Sequence, residues 1–244
     1  MKIAVAGGTG TVGTHVVRVA RMRGHEIVVL SRATGVDLRD GNGLSIALEG
    51  VDVVVDVSST QTMSARGSVS FFRSVTENLL ATEKSVGVAH HVTLSIVGID
   101  AAPKAYYAGK AAQEKAVSEG SVPWTILRST QFHEFASQIY GQLKVGPFVI
   151  VPTMRSQPVA AREVAERLVD LAEGTPEGRT RDLGGPREER MADMVRGYAS
   201  AIHSRVRIVE LPVPGAYGRA LRNGSLLTEA DADRGDQTFA DWLV

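Results

Sequence analysis

The 244-residue sequence predicts an α/β fold: a doubly wound parallel sheet of the Rossmann type with a small C-terminal lobe. Three observations predict it. Short runs of Val, Ile and Leu lack polar alternation, as strands buried on both faces do. These runs alternate with segments of helical period, the βαβ rhythm of a parallel sheet. The first run ends in VAGGTGTVGTHVV, where Gly7, Gly10 and Gly13 stand between a strand over Ile3 to Ala6 and a helix over Thr14 to Met22.

The elements follow in order. After KIAVAG and its helix come the strand HEIVVLSR, the strand VDVVVDVSS and the helical SFFRSVTENLLATEKSVG. HHVTLSIVG, the helical GKAAQEKAVSEG and the strand PWTILRS continue the series. Right-handed crossovers then put a ligand crevice at the carboxyl ends of the strands. Past about residue 130 the rhythm loosens: QFHEFASQIYGQL reads as a helix, GPFVIVP as a strand, and AREVAERLVDLAEG sets Val164, Leu168 and Leu171 on one stripe. TRDLGGP, a helix over MADMVRGYASAIH, the strand VRIVELPVP and a polar tail ending FADWLV complete the chain. The division expected is 1–150 for the Rossmann domain and 151–244 for a lobe interleaved with the last sheet elements.

Composition narrows the function. Lys plus Arg equals Asp plus Glu at 27 each, without the basic excess that binding a nucleic-acid backbone requires. No cysteine is present, which excludes disulfides and thiolate chemistry and fits a reducing compartment. No apolar run approaches the length of a membrane span, and the expected location is the cytoplasm.

The glycine turn carries the chemistry. A strand that opens through glycines into a helix aims backbone N–H groups and a helix N-terminus at a pyrophosphate. Gly7 permits the turn, Gly10 lets phosphate approach, Gly13 lets helix and strand pack closely, and Thr9, Thr11 and Val12 complete the cradle. The end of the second strand selects the dinucleotide. An acidic residue there would bind a ribose 2′-hydroxyl, whereas cationic and hydroxyl donors suit a 2′-phosphate. This chain has Ser31 and Arg32, so NADP(H) is the expected cofactor.

GGTGTVG with LSR, GVDLRD, VDVVVDVSS, YYAGKAAQEK and PWTILRSTQFHEF resembles the atypical short-chain dehydrogenase/reductases of the NmrA-like NAD(P)-binding kind. The resemblance implies that Asp37 and Leu38 lie near the adenine. It also implies that Val57, Ser58 and Ser59, after the strand that family counts as its fourth, meet the cofactor ribose, and that Thr130 to Phe132 form a loop near the nicotinamide. Tyr106 and Lys110 form the Y-x-x-x-K pair, one helical turn apart and so on one face. In such reductases the tyrosine gives a proton to a carbonyl oxygen while the lysine binds the nicotinamide ribose and lowers the tyrosine pKa. The helper hydroxyl is Ser95, with Val97 the other residue that the register could put there. The carboxamide or carboxylate of the preceding helix is replaced by Phe72.

The resulting expectation is an NADPH-dependent reductase passing hydride to a small carbonyl, quinone or enone. Two rivals stand beside it: a non-catalytic NADP(H)-binding redox sensor, and an epimerase or dehydratase that keeps its cofactor. The partner expected is a small-molecule substrate, with no nucleic acid and no membrane, and the oligomeric state is open. Phe132, Phe135, Met154, Tyr217 and Leu221 are candidates for the substrate pocket, and His133 for a side chain facing it. His90 and His91, adjacent on a strand, point to opposite faces and read as surface histidines rather than metal ligands. Trp124 reads as core.

Overall fold

Ile3, Ala4, Val5 and Ala6 are all wholly buried because their strand, β1 (Lys2–Ala6), is covered on both faces. The computed structural model describes residues 1–62, 64–101 and 104–244. After β1 come α1 (Thr11–Met22), β2 (Glu26–Leu30), α2 (Leu44–Ala47), β3 (Val53–Asp56), α3 (Ala65–Val86), β4 (His90–Ile96), α4 (Tyr106–Ser118) and β5 (Trp124–Ser129). The second half supplies α5 (Phe135–Gln142), β6 (Lys144–Val145), β7 (Phe148–Pro152), β8 (Arg155–Ser156), α6 (Ala161–Glu173), β9 (Gly178–Arg179) and β10 (Leu183–Gly184). It ends with β11 (Glu189–Arg190), α7 (Met191–Ala201), β12 (Arg207–Leu211), α8 (Gly215–Arg222), β13 (Asp233–Arg234) and α9 (Phe239–Trp242).

The main sheet runs β2-β1-β3-β4-β5-β10-β13, with β9 beside β5, and every pairing in it is parallel. Side-chain alternation sorts its faces. Val5, Val55, Val92 and Leu94 pack with Val16 of α1 and Val164, Leu168 and Leu171 of α6, while Ala4, Ala6 and Val54 pack with Val75 and Leu79 of α3. The connection after β1 leads to α1 on one face of the sheet and the connection after β3 leads to α3 on the other, so the two loops part and leave a crevice at the carboxyl ends of these strands. Gly7 follows one of those ends and Val57 the other.

Beyond β5, the strands β12-β7-β6 form a three-stranded sheet whose inner face meets α5 and α7 around Val149, Val151, Met191 and Val195. Meanwhile β9, β10 and β13 return to the main sheet. The tail is more structured than its polar sequence suggests: α8, β13 and α9 all lie in it, and β13 and α9, of two and four residues, leave no periodicity to read.

Two histidine expectations are corrected. His90 and His91 are buried, at 3% and 0% exposure. Each has a partner in place of water: His90 Nε2 lies 2.8 Å from Thr125 Oγ1, and His91 Nδ1 2.8 Å from Glu83 Oε1. Trp124 is half-buried at the start of β5. Among the described residues no helix is long and apolar enough to cross a membrane.

Candidate functional site

Gly7 has φ +78, and a Cβ on it would sit 2.9 Å from the backbone of Ser58, so β1 and β3 approach each other at the crevice as only glycine allows. A Cβ on Gly13 would come within 2.1 Å of the Gly7 carbonyl oxygen, which is why the first turn of α1 can lie against the end of β1. Gly10 differs: a Cβ there would meet only the Gly7 carbonyl, at 3.3 Å, and would otherwise project into open space. Thr9, Gly10 and Thr11 are exposed, whereas Val12 is buried and anchors the helix. No side chain caps α1, and no carboxylate lies in its first turn, so its positive end is left for an external anion. These features fit a pyrophosphate.

At the end of β2 the Ser31 N–H donates to Thr34 Oγ1 at 3.1 Å, and the Thr34 hydroxyl donates to the Val29 carbonyl at 2.8 Å. This tight turn holds Arg32 exposed, whereas Arg23 is tied down by Asp170 and Glu173. Val36 donates to the Ser31 carbonyl at 3.0 Å, which folds Asp37 and Leu38 back beside that turn. Asn78 of α3 then pins the loop, its amide donating to the carbonyls of Leu38 at 3.1 Å and Arg39 at 2.7 Å.

Tyr106 opens α4, and its Oη lies 2.9 Å from the exposed Ser59 Oγ, which brings the phenol to the loop Val57–Ser59 after β3. In this chain's own order that strand is the third, not the fourth. Burial pushes the Tyr106 phenol up to about 12, against a partial lowering by the Ser59 hydrogen bond. The expected lowering by Lys110 is not what the geometry gives. The Lys110 ammonium is 4% exposed and donates to the Leu94 carbonyl and to Gln113 Oε1, both at 2.8 Å. Phe72, fully buried, occupies the space beside both: its ring meets Tyr106 edge-on at 5.4 Å, and Lys110 Nζ stands 4.5 Å from its centroid. Gly109 makes this fit, since a Cβ there would lie 2.6 Å from the Phe72 ring.

A buried polar chain not visible as a motif runs on from Lys110. Gln113 Nε2 donates to Asp56 Oδ2 at 2.7 Å, and Asp56 Oδ1 accepts from the Ser58 N–H at 2.8 Å. Asp56 and Gln113 are both wholly buried. Desolvation brings the Lys110 ammonium down to about 8, with Asp56 and Glu114 opposing the change. The available signals were a carboxylate closing the apolar run VDVVVD and a glutamine three residues past Lys110 on the same helix face. Arg128, also buried, clamps α4 to the loop before it by pairing with Glu114 at 2.6 Å and with Asp100 at 2.5 Å.

The remaining expected residues divide. Ser95 is buried with no partner for its hydroxyl among the described residues, and Val97 is buried as well. Thr130 is buried and its hydroxyl donates to the Gln157 carbonyl, while Phe132 is bridged to Val159, so this loop is tied to the chain before α6. Phe135 and Tyr217 are half-buried, and Tyr217 stands 6.3 Å from Tyr107. Met154 and Leu221 are corrected: they belong to the hydrophobic core around Val149, Val151 and Met191, at 4% and 3% exposure. His133 is corrected too, being buried against Phe239 and Trp242 with Nε2 at 3.1 Å from the Gln237 carbonyl. A cleft of about 560 Å³ lies elsewhere, between α6 and β13, and its lining includes the ion pairs Arg162–Glu166 and Arg167–Asp233.

Comparison with known proteins gives the same outline. A model of the NAD(P)H-binding family matches residues 7–174. The chain is 31% identical over 150 residues to the photosystem II assembly factor Ycf39 of Synechocystis, a match covering 54% of this chain and 45% of that protein. The chain thus spans less than half of that relative's length. It is 28% identical over 235 residues to (4-alkanoyl-5-oxo-2,5-dihydrofuran-3-yl)methyl phosphate reductase of Streptomyces griseus, covering 88% of this chain and 78% of the reductase. The fold is similar to that of Thermus thermophilus UDP-glucose 4-epimerase in complex with NAD, with a TM-score of 0.68, 21% identity, and coverage of 98% of this chain and 90% of the epimerase.

Proposed function

The chain belongs to the NAD(P)H-binding family, and from that premise we propose that it is an NADPH-dependent oxidoreductase acting on a small carbonyl, quinone or enone. The observation that carries the reading is the Tyr106–Ser59 contact of 2.9 Å, a protonated phenol hydrogen-bonded to an exposed hydroxyl beside the glycine crevice. A reduced nicotinamide, when bound, supplies hydride. The oxygen of the acceptor then needs a proton. Tyr106, held up to about 12, keeps its proton through the neutral range, and the alkoxide that hydride addition leaves is the stronger base. Ser59 can return a proton from solvent to the phenol.

Gly7, Gly10, Gly13 and the uncapped end of α1 would hold the pyrophosphate, and Ser31 with Arg32 the 2′-phosphate. The exposure of Arg32 supports NADPH over NADH, because a guanidinium with no carboxylate partner among the described residues is available to pair bidentately with phosphate. The segment 151–244, together with Phe132 and Phe135, would cover a small-molecule acceptor. A cysteine-free chain suits the cytoplasm. Similarity to a named reductase over most of both chains supports the reductive direction.

A second reading has its own support. Phe72 fills the place of a polar relay residue, and Lys110 is engaged with Leu94, Gln113 and the Phe72 ring, which favours an NADP(H)-binding sensor. Similarity to an assembly factor points the same way. The deciding experiment follows NADPH absorbance against quinones, aldehydes and enones, with NADPH and NADH affinities measured by calorimetry alongside. Acceptor-dependent oxidation of NADPH supports the reductase, and tight binding without turnover selects the sensor. Substrate conversion without net NADPH loss selects an epimerase or dehydratase.

A further inference from the structure

The three-stranded sheet of the C-terminal half is covered on one face only. Five residue pairs hold β7 parallel to β12, from Phe148 with Arg207 to Pro152 with Leu211, and β6 runs antiparallel along the other side of β7. Alternation sends Val149 and Val151 inward to full burial and turns Phe148 and Ile150 outward. In register with those two, Val145, Val209 and Leu211 also face outward, and Leu143 continues the face beside Ile150 through the hydrogen bond from Ile150 N–H to its carbonyl. These six side chains are 36% to 64% exposed and account for more than half of the large apolar side chains exposed among the described residues.

A solvated outer face would carry polar residues at these positions. The parallel pair β7–β12 is of the kind found with both faces covered, and the largest apolar patch of a protein surface is often a functional one. Nothing among the described residues covers this one. We propose that the outer face of the β12-β7-β6 sheet is the surface through which two copies of this chain associate.

Area and charge identify the occupant. At 36% to 64% exposure the six residues together expose on the order of a few hundred Å² per copy, the scale of the apolar share of a standard interface of about 800 Å² per partner. The face carries one charge, Arg207, at the Phe148 end. A two-fold axis through Ile150 and Val209 sets that end against the partner's Leu211 end, so the two guanidinium groups lie far apart at the rim. The two sheets would then stack face to face at about 10 Å, as in a sandwich.

The test is sedimentation equilibrium on the whole chain, whose subunit mass is 26.0 kDa. The expected result is a dimer at micromolar concentration that Ile150→Glu or Val209→Glu weakens by at least about 100-fold, with the circular dichroism of the fold retained. Either variant serves if the other fails to fold. Because the sequence holds no cysteine, Ile150→Cys reports alone, and a short bifunctional thiol reagent that spans the sheet-to-sheet gap of about 10 Å should join two copies covalently. A wild-type monomer at about 100 µM overturns the proposal, since a standard interface would be saturated there. So does a dimer that survives both glutamate variants and gives no cross-link with Ile150→Cys. A different protein found covering the face while the chain stays monomeric overturns it as well.

Discussion

Phe72 stands between Tyr106 and Lys110, edge-on to the phenol at 5.4 Å and with its ring centroid 4.5 Å from the ammonium. A buried ammonium thus meets the aromatic face of the residue that the sequence already puts in place of a polar relay side chain, and tyrosine and lysine are held by different partners. Phe72→Leu should lower stability by about 2–3 kcal/mol, from lost packing and a desolvated cation–π contact. Urea midpoints at constant m-value measure it, and an unchanged midpoint would remove Phe72 from the energetics of the site.

Gln113 bridges Lys110 and Asp56 without exposure to water. Gln113→Leu leaves an ammonium and a carboxylate each short of one hydrogen bond, which should cost about 3 kcal/mol by chemical denaturation. A loss under about 1 kcal/mol would mean that water or a rotated side chain replaces the amide.

Lys110 titrates near 8 in the folded chain and near the model-peptide value of about 10.4 when unfolded. Between those values the unfolded state holds more protons, so the contribution of Lys110 to stability grows as pH rises through that window. The difference in stability between the wild type and Lys110→Met should therefore shift in favour of the wild type from pH 8 to about pH 10. A difference that stays flat across the window would contradict it.

His90 gives the acid-side counterpart. Burial, with His91 adding to it, lowers its pKa to about 4, below the ordinary histidine value of 6.5. As pH falls from about 6.5 toward 4 the unfolded chain takes a proton that the folded chain refuses, and stability is lost. His91, raised by the Glu83 carboxylate against the effect of burial, acts oppositely: its contribution is present below 6.5 and lost as pH rises through its folded pKa. Melting curves of His90→Gln should show a shallower acid loss than the wild type, and a steeper one would reverse the assignment.

Two substitutions address the proposed chemistry. Arg32→Ala should raise the NADPH dissociation constant about tenfold to a hundredfold and leave that for NADH nearly unchanged. Equal losses for both would deny Arg32 a 2′-phosphate. Tyr106→Phe removes the donor and its Ser59 hydrogen bond and should slow reduction by about a hundredfold. In the wild type, with the phenol held near 12, no alkaline limb from Tyr106 should fall within the neutral range.

By itself the sequence determined the parallel sheet, its helices and the glycine turn, because periodicity and glycine conformational freedom act over a few residues. Gly7, Gly10 and Gly13 could be given separate roles from spacing alone, and the Tyr106–Lys110 spacing put both side chains on one face of α4. Only the tertiary structure decided their partners: Ser59 for Tyr106, Gln113 and Phe72 for Lys110, Glu83 for His91. Such pairings join residues from separate elements, and burial then moves their proton affinities. A local pattern holds neither the partner nor the dielectric it will meet. For the same reason Met154, Leu221 and His133 pass for pocket residues in sequence and are core in the folded chain.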